Sequence, residues 1–576
     1  MFDVILRNGT VVDGTGAPAF QGDVGIAGDR IAMVGKANGA AAVTEIDAQG
    51  KYIAPGFVDP HSHADLSLYR ENSTALLEPL VRQGITTFVG GNCGMAMAPL
   101  GDAHRDAVET YINIFTQIDF DREAHWQSLG DYFDYVEDKG LLLNAAVLAP
   151  HGLLRLNAMG MEPRAATDDE IAAMKAALAE ALDAGAIGLS TGLQYMPGSQ
   201  SDTRELLALG AELHDRGGIF TSHLRSYSNT LDRAIDEVIE VAETCEVPAQ
   251  LSHLFWVPDY GRLGPLFQKV VRGMARLSKY WTPPLPLDQP MATQLKQVTA
   301  AQQRGVAVRA DIMPTTTGFT HILAFFPPWS VTGSVEEVIA RLHDPEQRKR
   351  ILHSIEHGKM EWPHTGPDAW TLNLFRLMGW GCARIMSVAS DKNKRLEGMS
   401  ITEIARERGV HPLDAVCDLL IEEEGHVLAF ESMAEPDDAF TERSSFAGLK
   451  HPEVMISTDA ILMGGGIPSQ LFYGCYPKYL SRYVRDMRLL PLENAIRKIS
   501  GLAAEHFNLR DRGVIAENAY ADVVVFDYDA LATKGTFRDP AHFPDGIEHV
   551  FINGNHVVDG DVFNPDPLPG RLLRRT

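Results

Sequence analysis

Two histidines on alternate residues, His61 and His63, follow the apolar run Ile53-Ala-Pro-Gly-Phe-Val-Asp-Pro60. In an extended chain, residues i and i+2 point to the same face, so both imidazoles can reach one metal ion. With 20 histidines in 576 residues, the spacing alone carries little weight. Its placement carries more, because it closes a strand-like segment and is echoed further along the chain. Gly90-Gly-Asn-Cys-Gly94 sets the Cys93 thiol in a glycine-rich bend; Phe220-Thr-Ser-His-Leu-Arg225 holds His223, and Gln250-Leu-Ser-His-Leu254 holds His253. A later run, Ile456-Ser-Thr-Asp459, ends in a carboxylate. Taken singly, a strand-end His is most often a hydrogen-bonded scaffold residue, a lone Cys is core, and an Asp is a turn or cap residue. Together, on five strand ends, they read as the imidazole, thiolate and carboxylate ligands of a metal site.

The elements that must position these groups alternate. Strand-like runs fall at Ile53–Val58, Thr86–Gly90, Asn144–Leu148, Ala186–Leu189, Gly218–Thr221, Pro248–Leu251, Val306–Ala310 and Val454–Ile456, with helical patterns between most of them. In the clearest helix, Thr167 and Glu170 have capping-box spacing, acids fill the first turn, and Gly185 can end it. Eight strands with intervening helices predict an α/β protein, a TIM-like (β/α)8 barrel with its site on the loops at the C-terminal strand ends. The stretch from Asp311 to Glu453 is too long for a loop and must carry structure of its own.

The chain ends read differently. Phe2 to Gly14 suggests a hairpin around Asn8-Gly9, and His549 to Gly560 repeats its strand-Asn-Gly-strand-Asp-Gly phrasing. This predicts a small β-sandwich built from residues 1–54 and 509–576. Residues 55–508 form the barrel, with insertions near 259–289 and 348–376 that either cover the site or make subunit contacts.

Composition narrows the function classes. Against 51 Lys and Arg stand 76 Asp and Glu, a formal charge of −25, which argues against nucleic acid or an anionic membrane as partner. Five cysteines without short paired spacings do not form a disulfide framework. The N-terminus is too short and polar for a signal sequence, and no uncharged apolar run reaches about 18 residues. A soluble cytoplasmic protein is expected.

Several motifs are similar to those of a known group. They are Pro55-Gly-Phe-Val-Asp-Pro-His-Ser-His63, Gly84-Ile-Thr-Thr87, Gly91-Asn-Cys-Gly94, Gly188-Leu-Ser-Thr-Gly-Leu193, and the His223 and His253 strand ends. Phe326-Pro-Pro-Trp329, Ile401 to Gly409, Ser457-Thr-Asp459, Ala495-Ile-Arg-Lys498 and Asp511-Arg-Gly513 extend the likeness over nearly the whole chain. The chain resembles the amidohydrolase superfamily and, within it, the N-acyl-D-amino-acid deacylase (D-aminoacylase) family. The resemblance implies a barrel with a terminal β-sandwich and a zinc-dependent hydrolase of carbon–nitrogen bonds. It implies one tight zinc on Cys93, His223 and His253, and a second, weaker metal on His61, His63, Cys93 and Asp459. Cys93 would replace the carboxylated lysine of hydantoinases and dihydroorotases, and the fourth strand, Ala186 to Gly192, offers no Lys. Asp459 would act as general base and then general acid toward metal-activated hydroxide. His151, in Ala149-Pro-His-Gly152, is expected either to touch substrate or oxyanion or to serve the scaffold.

The resemblance also implies a clamp for a substrate carboxylate. It consists of a Lys two residues after the sixth-strand His, a Tyr-Pro-Tyr and then a Ser after the seventh strand, and an Arg after the catalytic Asp. This chain has Phe255 at the first place, Met313-Pro-Thr315 at the second, Phe319 or Thr320 near the Ser, and no Arg in Gly466 to Gly474. Phe255, Trp256, Met313 and Phe319 predict an apolar, aromatic pocket. The expected partner is a small-molecule amide lacking an essential free carboxylate: an N-acylated aromatic amine, a lipophilic amide or a cyclic amide. The alternatives are an ordinary N-acyl-D-amino-acid deacylase, with Arg225 supplying the cation, or the same centre acting on an ester, C–C or deaminase substrate. A non-catalytic scaffold is opposed by the complete donor set. The resemblance allows a homo-oligomer.

Overall fold

The computed structural model describes Met1 to Arg575, apart from residues 279, 282, 284, 367 and 435 and the side chain of Arg262. At its centre lie parallel strands Phe57–Asp59, Ile85–Gly90, Asn144–Val147, Gly188–Gly192, Ile219–His223, Ala249–Leu251, Val308–Ile312 and Val454–Ile456. The third continues as Ala149–Pro150 after a break at Leu148. Each strand pairs in parallel with the next. The first and last are brought side by side beyond their ends: Asp459 N–H donates to His61 O and His63 N–H to Ala460 O, both at 2.9 Å. These strands are buried along nearly their whole length, as expected of parallel strands covered by helices.

The covering helices form where the sequence signals them. Thr167 caps Asp168–Asp183 through a capping box with Glu170, and Ile171, Met174, Leu178 and Leu182 turn inward at helical spacing. The predicted run Ile53–Val58 is divided between two sheets. Tyr52–Pro55 pairs antiparallel with Val523–Phe526, and Phe57–Asp59 enters the barrel. Gly56 makes the crossing possible, since a Cβ there would lie 2.2 Å from Thr86 Oγ1.

Both chain ends supply one nine-stranded sheet, running from Arg30–Gly35 through Phe20–Ala27, Phe2–Val11 and Tyr52–Pro55 to Val523–Phe526 and, at the far edge, Val562–Phe563. Leu6, Val24, Ile26, Ile53, Val525 and Phe551 are among the residues of its core. The hairpin expected around Asn8-Gly9 does not form. Phe2–Val11 is one strand, and Asn8, at φ 60°, sits in a bulge between Leu6 and Gly9 against Phe20–Ala27. Val4, Leu6 and Val11 all face the same core, and that shared burial holds the strand straight through its turn signal. Asn553-Gly554 does turn, joining Ile547–Ile552 to Asn555–Asp559.

The long connection after the seventh strand carries an antiparallel sheet of Gly318–His321, Val427–Glu431 and Ala383–Val388, with four helices of eight residues or more. The shorter insertion contains the helix Gly264–Leu277. Among the described residues no helix is long and apolar enough to cross a membrane. All five cysteines are free and buried.

Candidate metal centre and substrate cavity

His61 and His63 follow the first barrel strand, Cys93 the second, and Asp459 the eighth; His223 ends the fifth, and His253 follows the sixth. The backbone bends sharply to aim three of them: Cys93, His253 and Asp459 have φ values of 54°, 32° and 53°. Left-handed non-glycine residues are costly and cluster at functional sites, where surrounding structure over-determines them. The glycines beside Cys93 allow this approach. A Cβ on Gly91 would lie 2.2 Å from Leu148 O.

These side chains converge. Cys93 Sγ lies 3.3 Å from His61 Nε2, 3.6 Å from His223 Nδ1 and 3.6 Å from His253 Nε2. Asp459 Oδ1 lies 3.5 Å from His61 Nε2 and 3.3 Å from His63 Nε2. A tetrahedral zinc with bonds of about 2.3 Å to sulfur and 2.0–2.1 Å to nitrogen sets S···N edges of about 3.6 Å and N···O edges of about 3.4 Å. The observed spacings fit that ion. The groups form two sets that share His61: His61, Cys93 and His253 in one, and His61, His63 and Asp459 in the other, with His223 Nδ1 reaching the thiol from a third side.

Electrostatics favour the same occupant. Burial alone would raise the Cys93 pKa, but His61, His223 and His253 outweigh it and hold the thiol well below its usual range. Burial opposes a charge on His61, yet Cys93 and Asp311 raise its pKa well above normal. His63, against the same burial, is raised to about 10 by Asp459 and Cys93. His223 is lowered to about 4 by burial and by His253. A thiolate and a carboxylate packed among imidazoles hold protons there that a divalent cation would displace on binding.

A further layer orients the imidazoles. His223 Nε2 meets Gln194 Oε1 at 2.9 Å, and His253 Nδ1 meets Tyr227 Oη at 3.2 Å, leaving the opposite nitrogens toward Cys93. Asp311 accepts from His253 N–H at 3.0 Å, Ser457 Oγ at 2.7 Å and Gln250 Nε2 at 2.6 Å, with Oδ2 3.6 Å from His61 Nδ1. Sequence reasoning did not single out Asp311, although a carboxylate directly after the Val306–Ala310 run was the available signal.

A cavity of about 540 Å³ opens from His223, His253 and Asp459. Phe255, Trp256, Met313 and Phe319 all line it, as do Phe267 and Met274 of the shorter insertion. Phe255 stacks on Tyr227 at 4.2 Å, so the first apolar replacement is tied to a residue that holds His253. Among the described residues lining the cavity there is no Lys or Arg; besides Asp459, its other carboxylate is Glu431. Glu431 was not singled out from sequence either, because it lies in the insertion sheet, away from any barrel strand end.

Two further residues weighed as substrate contacts lie away from the cavity. His151 is fully buried and bonds Glu205 Oε1 through Nε2 at 2.7 Å; the other Glu205 oxygen takes Arg155, and His151 does not line the cavity. Arg225 is likewise committed, to Glu237 at 3.0 and 3.1 Å and to the carbonyls of Ser199 and Ser201, both at 3.0 Å. Four of its five donors are taken by these bonds, and it does not line the cavity.

Comparison with known proteins agrees with this geometry. The amidohydrolase family model matches residues 44–309 and 449–558. The D-aminoacylase of Alcaligenes xylosoxydans xylosoxydans is 30% identical over 100% of this chain and 98% of its own length. The N-acyl-D-glutamate deacylase of the same organism is 29% identical over 100% and 96%. A D-aminoacylase crystal structure superposes with a TM-score of 0.74 at 29% identity, covering 100% of both chains. The N-acyl-D-glutamate deacylase of Bordetella bronchiseptica, complexed with zinc and a phosphonate mimic of the tetrahedral intermediate, gives 0.75 at 26% identity, covering 100% and 99%. A solved D-aminoacylase contains a binuclear metal centre. The chain belongs to the amidohydrolase family and is a metal-dependent hydrolase of carbon–nitrogen bonds, similar to the D-aminoacylases.

Proposed function

We propose that this protein is a zinc-dependent deacylase that cleaves the amide bond of a hydrophobic substrate and needs no free carboxylate on it. The observation that carries this reading is the apolar cavity at the metal cradle, lined by no Lys or Arg among the described residues. Cys93, His223 and His253 would hold the tighter ion, and His61, His63, Cys93 and Asp459 the weaker one. When bound, zinc supplies Lewis acidity, lowering the pKa of water from about 15.7 toward about 7 and polarising a carbonyl.

The remaining steps belong to the chain. Asp459 lines the cavity and lies within 3.5 Å of both His61 and His63, which fix its carboxylate. It accepts a proton from the attacking water and returns it to the departing nitrogen, so carboxylate and free amine leave as products. Phe255, Trp256, Met313 and Phe319 cover the apolar body of the substrate, contributing about 25 cal/mol for each Å² withdrawn from water. A substrate carboxylate in that wall would meet no Lys or Arg among the described residues, and lacking such a charged partner costs about 2–5 kcal/mol.

A second reading, ordinary N-acyl-D-amino-acid deacylation, is favoured by the activities for which the 28–30% identical relatives are named. Product analysis tests the chemistry common to both. Zinc-loaded protein should convert N-acetyl-D-leucinamide into acetate and D-leucinamide, and Asp459→Asn should abolish this. Release of ammonia from the primary amide instead would place the scissile bond elsewhere and refute the deacylase reading.

A further inference from the structure

Glu431 ends the central strand of the insertion sheet, directly opposite Gly318 in the neighbouring strand. A Cβ at position 318 would lie 2.6 Å from Glu431 Oε1, so the glycine makes room for this carboxyl beside the cavity. Phe319, the next residue, lines the same wall, with Met313 close along the chain. Glu431 Oε2 is shielded from solvent and has no hydrogen-bond partner. Nor does any Lys or Arg among the described lining residues offset its charge. Burial raises it to about 7, with His253 acting to lower it and Asp459 to raise it. The residue as a whole is only partly buried, but a carboxyl oxygen shielded from solvent without a partner is a cost to the fold, and such groups call for an explanation.

We propose that Glu431 determines substrate choice, accepting a charge-assisted hydrogen bond from an ammonium group on an acylated amine that carries a second, basic nitrogen. An ammonium supplies both the missing donor and the missing charge, giving the stronger class of hydrogen bond in a mostly apolar wall. A carboxylate at the same place meets a like charge. The preference thus runs from cation through neutral amide to acid. This deepens the proposed function and rests on that reading of the cavity as the substrate site.

The test uses three matched substrates with the zinc-loaded full chain: N-acetyl-D-leucine, its primary amide, and the monoacetylated diamine in which CH2NH3⁺ replaces the carboxylate. Wild type should favour the diamine over the amide by about 10- to 100-fold in kcat/KM. Glu431→Gln should collapse that ratio toward one, and Glu431→Asp should keep its direction. An equal ratio in wild type and Glu431→Gln overturns the proposal. Calorimetry of 4-methylpentylamine against 4-methylpentanol gives the same comparison without turnover. Absence of hydrolysis would therefore count against the deacylase reading, while the amine-to-alcohol binding ratio and its loss in Glu431→Gln still decide the role of Glu431.

Discussion

Replacing Asp311 by Asn should weaken the looser of the two zinc positions, the one His61 would help to hold. Each of its oxygens faces a donor: Oδ1 takes His253 N–H at 3.0 Å and Ser457 Oγ at 2.7 Å, and Oδ2 takes Gln250 Nε2 at 2.6 Å while lying 3.6 Å from His61 Nδ1. The carboxylate favours a proton on His61 Nδ1 and so leaves the Nε2 lone pair toward Cys93 and Asp459. An amide keeps its oxygen on the His253 and Ser457 side and presents its NH2 to Gln250 and His61. Gln250 can adapt by turning its unpartnered Oε1 inward. His61 has no such freedom: the amide favours the tautomer whose Nε2 carries a proton, which cannot ligate. Losses at such orienting residues are typically 10- to 100-fold in metal affinity, about 1.4–2.7 kcal/mol. Zinc competition against a chromogenic chelator measures this, with circular dichroism confirming that the variant is folded. A folded Asp311→Asn protein that binds its second zinc equivalent as tightly as wild type would refute the orienting role.

Other outcomes follow from the same contacts. Glu205→Ala leaves Arg155 uncompensated and His151 without its acceptor in a fully buried site, and should cost about 3–5 kcal/mol in urea unfolding. The folded variant should still bind zinc. Phe255→Lys puts a cation in the cavity wall and should shift selectivity toward N-acyl amino acids by about tenfold or more, read as the acid-to-amide ratio of kcat/KM. Burial holds His506 at about 3 and His364 at about 4, below the 6.5 of an unfolded histidine. The unfolded chain then takes up protons that the folded chain refuses. Their stabilisation is complete above about pH 6.5 and is lost as pH falls toward 4, at roughly 1–2 kcal/mol each by pH 5. Denaturant midpoints at pH 7 and pH 5 check the sign.

The donor set was legible because barrel geometry ties function to strand ends, and the strand runs were readable from local apolar pattern. Thr167 and Glu170 fixed a helix start for the same reason, since their bond spans only three residues. Long-range pairing was not legible. His151 and His223 are both histidines at strand ends, and only the fold shows that one faces Glu205, 54 residues away, and the other Cys93. Asn8-Gly9 and Asn553-Gly554 are the same local signal with opposite outcomes, a bulge and a turn, decided by which neighbours share a core. The run Ile53–Val58 looked continuous because nothing local to it reveals Thr86 pressed against Gly56. Glu431 reaches the cavity from a sheet that no barrel pattern predicts.

The most direct measurement compares kcat/KM for N-acetyl-D-leucine and its primary amide in zinc-loaded protein at neutral pH, with Asp459→Ala as control. An apolar wall without Lys or Arg among its described residues predicts that the amide is favoured by tenfold or more and that the control loses both activities. A strong preference for the free acid would contradict the account, and would mean that this cavity holds a carboxylate by groups other than those placed around it here.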